Sequence, residues 1–392
     1  MTAAIRQYLV ITGNYWAFTL TDGALRMLVV LHFHQLGYSP LEIALLFIFY
    51  EFFGVVTNLV GGYLGARMGL NRTMNIGLFL QIAALAMLAV PAAMLTVPWV
   101  MAAQAISGIA KDLNKMSAKS GIKLLVPDEQ QGTLYKWVAI LTGSKNTLKG
   151  VGFFLGGVLL MAAGFQGAVV IMAVVLGLVW LASLFLLGQD LGKSKEILSK
   201  SRAINVLSAA RMFLFGARDV WFVVALPVYL HTVFGWDFWK VGGFMATWVI
   251  GYGFIQTLAP RITGNMEGRQ PAMIWAAALA LIPAGIAVGL MVGWSPQFVV
   301  IGGLLLFGVL FAINSSLHSY LIVSYARGDG VSLDVGFYYM SNAAGRLLGT
   351  ILSGWVYQAY GLQACLWISA GLVAAAAILS MFLPEKRPVP AT

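Results

Sequence analysis

Long apolar stretches alternate with short polar or Gly/Pro connectors along the whole chain. About 20 apolar residues in helical form cross the hydrocarbon core of a bilayer, and longer stretches tilt or protrude. Twelve such stretches lie near 8–36, 41–66, 74–95, 98–119, 134–162, 165–187, 204–234, 238–260, 272–293, 297–325, 334–360 and 362–383. The pattern predicts an all-α integral membrane protein of twelve transmembrane helices. The N-terminal MTAAIRQYLV leads into a long stretch interrupted by Asp22 and Arg26. It lacks the compact apolar core and small-residue cleavage site of a signal peptide, so a retained first helix is expected.

Composition removes the soluble alternatives. Of 392 residues, 60% are hydrophobic and only 10% charged, against about 25% charged in a soluble domain. The single cysteine, Cys365, excludes an internal disulfide and a multi-thiolate metal site. The net charge is +10, and its placement says more than its size. One set of connectors carries Arg6, Arg67, Arg72, Lys119, Lys123, Lys193, Lys195, Lys200, Arg202, Arg261, Arg269, Arg327, Lys386 and Arg387, whereas the alternate set holds Lys240 alone. Basic residues stay on the cytoplasmic side. Both termini and the loop between spans six and seven are therefore expected in the cytoplasm.

The two halves repeat. Asp22 precedes His34 by 12 residues in the first span, and Asp219 precedes His231 by 12 in the seventh, at an offset of 197. The expected organisation is an N-terminal six-helix bundle over 1–188, a cytoplasmic linker over 189–203 and a C-terminal six-helix bundle over 204–392. Parallel six-helix repeats resemble the major facilitator architecture. The segment Gly62–Arg72 (GYLGARMGLNR) is similar to that superfamily's loop signature, with Ala66 where an acid is usual.

Nine cations fall inside spans: Arg26, Lys111, Lys115, Lys136, Lys145, Lys149, Arg211, Arg218 and Arg346. Each costs about 2.5–3.5 kcal/mol at a helix centre, so nine facing lipid would oppose insertion by roughly 20–30 kcal/mol. Most must face a water-filled interior or a partner. Four acids, Asp22, Glu51, Asp112 and Asp219, are placed to pair with them. The remaining positive excess suits an anionic substrate. Asp22 with Arg26, and Arg218 with Asp219, are read either as local ion pairs or as part of the pathway. Lys145, Lys149 and Arg346 are left without an acid and are expected to bind substrate. A planar Arg fork fits phosphate or arsenate oxygens bidentately, and Lys supplies point charge. Lys111, Lys115 and Asn342 join the candidate binding set. Lys119, Lys136 and Arg211 are expected to snorkel to the cytoplasmic surface. Asp22, Asp219, Glu51 and Asp112 are candidates for proton coupling or for ion pairing.

Other features carry less. His32, His34, His231 and His318 have poor spacing for a metal site, and none is assigned. Gly152–Gly156 and Gly345–Gly349, with Gly61, Gly65 and Gly69, are small-xxx-small contacts. Pro227 and Pro283 are expected to kink their helices. Asn314, Ser315, Ser316 and His318 are neutral donors for substrate or for packing. No phosphate-cradling Gly loop, paired-cysteine motif or nucleotide-binding domain is present, so neither an enzyme nor an ATP-driven pump is expected, and no cofactor is implied.

The stretches TGNYWAFTLTDGALR (12–26), GIAKDLNKMSAKS (108–120), LTGSKNTLKG (141–150) and FGARDVW (215–221) resemble those of bacterial organoarsenical efflux permeases of the major facilitator superfamily, found in arsenic-resistance operons. The resemblance spans essentially the whole chain. It implies an inner-membrane secondary exporter or antiporter of 1-arseno-3-phosphoglycerate, working with a partner glyceraldehyde-3-phosphate dehydrogenase that makes the ester from arsenate. Hydrolysis outside the cell would complete arsenate detoxification. The implied partners are this small anion and the lipid bilayer, with no nucleic acid, and the expected state is a monomer. The site residues come from the charge reading and not from the family. Arg26, Lys145 and Lys149 in one half, and Arg218 and Arg346 in the other, could each hold one anionic end. The rival readings are an organophosphate or phosphoglycerate exchanger or importer, a membrane receptor without flux and an integral-membrane transferase.

Overall fold

The computed structural model describes residues 3–38, 46–188, 201–264, 268–326 and 330–385. Helices fill almost all of them, at the places the apolar stretches predict. They are α1 (Ala3–Gln35), α2 (Ile48–Met68), α3 (Leu70–Leu88) and α4 (Val97–Leu125). The run Gln131–Leu186 breaks at Gly164 (φ 67°, ψ 179°) into α5 (131–163) and α6 (165–186). The second half supplies α7 (Arg202–Phe222), α8 (Ala225–Thr232), α9 (Phe238–Thr263), α10 (Arg269–Met291) and α11 (Gly303–Tyr325). Val331–Ser380 breaks at Gly361 (φ 76°, ψ −175°) into α12 (331–360) and α13 (362–380). Gly164 and Gly361 stand 197 residues apart, so the repeat read from Asp22 and Asp219 extends to the backbone. Both φ values lie where a Cβ is strained, which reserves these corners for glycine.

The seventh span is α7 and α8 together, interrupted at Val223 and Val224. Pro227 explains the break: it has no N–H and its ring collides with the carbonyl four residues back, that of Val223. Ser353 Oγ on α12 accepts from the Val224 and Ala225 amides at 3.3 and 3.1 Å, satisfying donors that the break releases. The other predicted kink, at Pro283, falls within α10, which continues through it.

The chain divides into two compact units. One contains Met1–Gln130, Ser144–Ser199 and Ala326–Met340; the other contains Gln131–Gly143, Lys200–Tyr325 and Ser341–Thr392. The first part of α5 thus belongs with the second unit, and the first part of α12 with the first. Glycine permits both exchanges. A Cβ on Gly143 would strike the Gly253 and Thr257 backbone. One on Gly336 would come within 2.6 Å of Asn58 O and 2.8 Å of Gly62 Cα. Tyr135 on the exchanged part of α5 stacks on Tyr320 at 4.6 Å. The linker lies almost wholly outside the described residues, as do the cations Lys193, Lys195, Lys200, Arg327, Lys386 and Arg387.

Each unit has its own apolar core. Phe18, Leu25, Leu28, Leu78, Leu85 and Val169 pack in the first. The second is more aromatic, built on Trp221, Trp248, Phe307 and Phe311. Large apolar side chains also cover the outside, with Met161 and Phe185 both 85% exposed. Such continuous exposed apolar surface is normal against lipid and an aggregation hazard in water.

Candidate functional site

Two candidate acid–cation pairs sit where helices approach too closely for any residue but glycine. A Cβ on Gly152 of α5 would lie 2.8 Å from Leu20 O and 3.1 Å from Gly23 Cα of α1. That contact sets Lys149, three residues earlier on α5, beside Asp22: Nζ to Oδ2 is 3.6 Å. The same construction recurs in the second unit. A Cβ on Gly349 of α12 would lie 2.7 Å from Gly216 O on α7, and Arg346, again three residues earlier, reaches Asp219 Oδ2 with Nε at 3.1 Å. The repeat offset of 197 carries Asp22 onto Asp219, Lys149 onto Arg346 and Gly152 onto Gly349. Each unit therefore holds one copy of an acid–cation pair that bridges two tightly packed helices.

This corrects the expectation that Lys149 and Arg346 have no acid. Asp22 turns across to α5 and α2, where Tyr50 donates its hydroxyl to Asp22 Oδ1 at 2.6 Å. Arg26 pairs with Glu51 at 2.9 Å instead of with Asp22. Its guanidinium also lies over the Phe47 and Tyr50 rings, 5.1 and 4.9 Å from their centroids. The helical i, i+4 spacing of Asp22 and Arg26 makes them neighbours in sequence terms, but a buried carboxylate is better satisfied by two partners on other helices. Arg218 does pair with Asp219, at 2.5 Å, and Phe215 and Phe311 flank its guanidinium. Asp219 is fully buried and shared by two arginines.

The first unit has a further charge centre. On α4, Lys115 meets Asp112 Oδ1 at 2.5 Å, with Lys111 Nζ 3.9 Å from Oδ2. Lys111 also lies over the Tyr50 ring at 3.8 Å, linking this centre to Asp22. Lys115 and Lys119 lie over the Tyr339 ring at 4.5 and 5.0 Å. Lys119 is only 2% exposed, so it does not snorkel; α12 covers it. Lys123, read as a cytoplasmic connector cation, is likewise buried and pairs with Asp128 at 2.9 Å. Lys136 is exposed and Lys145 half-buried.

Arg211 does not snorkel either. It is buried and directs Nε to Asn342 Oδ1 at 2.9 Å and Nη1 to Ser315 O and Oγ at 3.2 Å. Asn342 serves it as an acceptor. Of the neutral donors, Asn314 bonds the Trp275 and Leu310 carbonyls and Ser316 the Gln256 carbonyl, which are packing roles. His32 stacks on Phe165 at 4.2 Å, and His231 Nδ1 contacts Trp236 O at 2.7 Å.

Tyr50, Tyr15 and Tyr339 escaped the charge-based reading, as did Asp334. The Tyr15 hydroxyl is buried, has no partner among the described residues and lies within electrostatic reach of Asp22 and Asp112. Asp334 is a fully buried acid at the start of α12. An aromatic in an apolar span carries no outward sign of function. Tyr50 beside Glu51 was the available clue, since a hydroxyl next to an interior acid is a ready partner for another.

Chemically, the arrangement holds Lys and Arg cations against buried carboxylates. Lys and Arg carry three and five N–H donors, the complement of an oxyanion, and each carboxylate has a second partner, a tyrosine hydroxyl at Asp22 and Arg218 at Asp219. Replacing Tyr50 by Phe removes one charge-assisted hydrogen bond, about 1.5–3 kcal/mol. The expected result is a transport rate lowered roughly tenfold in reconstituted vesicles, with the protein still folded by size-exclusion profile.

The Major Facilitator Superfamily profile matches residues 9–333. No curated protein sequence matches the chain. Among solved structures, the human organic anion transporter MFSD10 (TETRAN) is similar at TM-score 0.74 and 17% identity, over 97% of this chain and 100% of that one. The proton:xylose symporter XylE bound to 6-bromo-6-deoxy-D-glucose gives TM-score 0.76 at 14% identity, covering 98% and 97%. The Escherichia coli fucose:proton symporter FucP gives 0.72 at 14%, covering 97% and 100%. At these identities the structural likeness establishes the fold, and the profile match establishes descent: the chain belongs to the Major Facilitator Superfamily.

Proposed function

We propose that this multi-pass membrane transporter exports 1-arseno-3-phosphoglycerate from the bacterial cytoplasm and so confers arsenate resistance. The observation that carries an anionic cargo is the duplicated pair, Asp22–Lys149 and Asp219–Arg346. An arsenate ester and a phosphate are both oxyanions, the kind of group that can take a carboxylate's place beside Lys or Arg in such a pair. The arsenical identity rests on the resemblance of 12–26, 108–120, 141–150 and 215–221 to organoarsenical permeases. Six spans per half, with both termini in the cytoplasm of the inner membrane, complete the reading. Transport is secondary, driven by the cargo gradient or by a coupled ion.

The exchange step explains why acids occupy an anion path. An isolated buried cation is costly, and each carboxylate neutralises its neighbour while the site is empty. The incoming oxyanion takes over that neutralisation, and the freed carboxylate is then available to accept a proton. Asp22 and Asp219 are the candidate coupling acids.

Expression in an arsenate-sensitive bacterium should raise tolerance to arsenate and leave tolerance to arsenite unchanged. Cell-associated arsenic should fall only when the strain carries an active glyceraldehyde-3-phosphate dehydrogenase. Unchanged arsenic content, together with uptake or exchange of 3-phosphoglycerate, would replace the exporter reading by the organophosphate exchanger.

A further inference from the structure

The second unit contains a polar level that the acid–cation pair does not account for. Arg211 of α7 meets Ser315 of α11. These helices run in opposite directions, so one turn along each toward the Arg202 end of α7 brings Ser208 and His318 to a common level. Ser208 is 1% exposed and His318 is 0% exposed. Ser208 Oγ and both ring nitrogens of His318 have no hydrogen-bond partner among the described residues. A buried polar atom left unpaired costs about 1–3 kcal/mol, and such atoms are rare without a ligand or bound water to explain them.

The charge selects the ligand. Arg211 reaches the level from one side, its guanidinium already oriented by Asn342, while Tyr252 fixes Ser315 through a 2.8 Å hydrogen bond. Arg211 lies within electrostatic reach of the His318 ring. A cation is therefore disfavoured at this level, and the imidazole has an N–H to donate. A hydroxyl, an imidazole N–H and a guanidinium thus stand as donors on adjacent turns of two facing helices, a set complementary to a tetrahedral or planar oxyanion. The repeat offset places Ile11, Asn14 and Gly121 at the positions equivalent to Ser208, Arg211 and His318, so the first unit has no copy of this level.

We propose that Arg211, His318 and Ser208 form a second oxyanion subsite, separate from the Asp219–Arg346 pair, which takes the phosphate, arsenate or carboxylate end of the cargo on its passage between the cytoplasm and that pair. The proposal rests on the anion-transport reading. It makes His318 a binding residue that contacts the cargo, in contrast to a packing role within α11.

Solid-state NMR on protein labelled with 15N-histidine, reconstituted in lipid with 13C-carboxylate 3-phosphoglycerate as the probe, tests the contact. Dipolar dephasing of a histidine nitrogen by 31P or by the carboxylate 13C is expected, and it should vanish in His318→Asn. Should that variant fail to fold, the protein with His32, His34 and His231 replaced by Asn leaves His318 as the labelled residue and gives the same readout. Bound 3-phosphoglycerate, lost in Arg346→Gln, without dephasing of any histidine would overturn this subsite and leave the anion reading standing; the orphaned atoms would then hold water. No bound 3-phosphoglycerate in the unsubstituted protein would overturn the anion reading and this subsite with it.

Discussion

Arg346→Gln and Lys149→Gln should each lower transport at least 100-fold while leaving a folded, membrane-inserted protein. Each substitution leaves a carboxylate buried without its interhelical cation, and Asp219 and Asp22 are 0% and 5% exposed. Removing one partner of a buried ion pair costs about 3–5 kcal/mol, a factor of roughly 10²–10⁴, and the partial exposure of Arg346, 36%, puts its loss at the lower end. The two losses should differ in detail. Asp219 keeps Arg218 at 2.5 Å, so Arg346→Gln leaves the carboxylate paired but removes the proposed oxyanion donor. Asp22 keeps the Tyr50 hydroxyl, with Lys111 over the same ring, so Lys149→Gln removes its direct cation. Second substitutions separate cargo binding from stability. Asp22→Asn in the Lys149→Gln background should restore thermal stability and leave transport lost, since position 22 then keeps its Tyr50 partner with no buried charge. Recovery of transport in that double variant would show that Lys149 acts by neutralising Asp22 and not by holding an anion. Initial uptake rates in proteoliposomes, read beside melting profiles of the purified variants, check both points.

Gly349→Leu and Gly152→Leu should be among the most destabilising single changes in the chain. A Cβ at 349 would lie 2.7 Å from Gly216 O and 2.9 Å from Asp219 Cβ, and one at 152 would lie 2.8 Å from Leu20 O. The obstacles are backbone atoms and the first carbon of the acid itself, which cannot rotate aside. Overpacking costs about 1–3 kcal/mol where side chains can yield, and these contacts lie at or beyond the top of that range. Helix separation also stretches the acid–cation pair one turn away, so transport should fall with stability. The control is Gly354→Leu on α12, where an added Cβ meets nothing within 4 Å. A melting temperature unchanged in Gly349→Leu would mean that α7 and α12 are not packed as described.

Apolar runs of bilayer length located the spans, because a lipid-facing helix must be apolar over its whole width and advertises itself in sequence. Corners were also legible: Gly164 lies between the predicted spans 134–162 and 165–187, and Gly361 between 334–360 and 362–383. The offset of 197 between Asp22 and Asp219 was visible as well. Extending it to Lys149 and Arg346 needed the structure, since nothing in a linear chain says that α5 crosses α1 at Gly23. Pairing was the least legible property. The i, i+4 rule favours Asp22–Arg26 on an isolated helix, but in a bundle the neighbouring helices outcompete the same helix. Arg211 shows the converse error. Its position near a predicted span end suggested snorkelling, and the Asn342 and Ser315 side chains on two other helices hold it inside. Tyr15 and Tyr50 carried no charge and so fell outside a reading built on charge.

The most direct test of the account is arsenic flux through the purified protein. Proteoliposomes oriented with the cytoplasmic face outward would be supplied externally with arsenate, glyceraldehyde-3-phosphate, NAD and the dehydrogenase, which generate the labile ester in place. Arsenic should accumulate in the lumen only when all four and the protein are present, and accumulation should be lost in Lys149→Gln and Arg346→Gln. Accumulation that persists in both variants would contradict the two-centre account of the site, and exchange of 3-phosphoglycerate without any arsenic uptake would contradict the cargo.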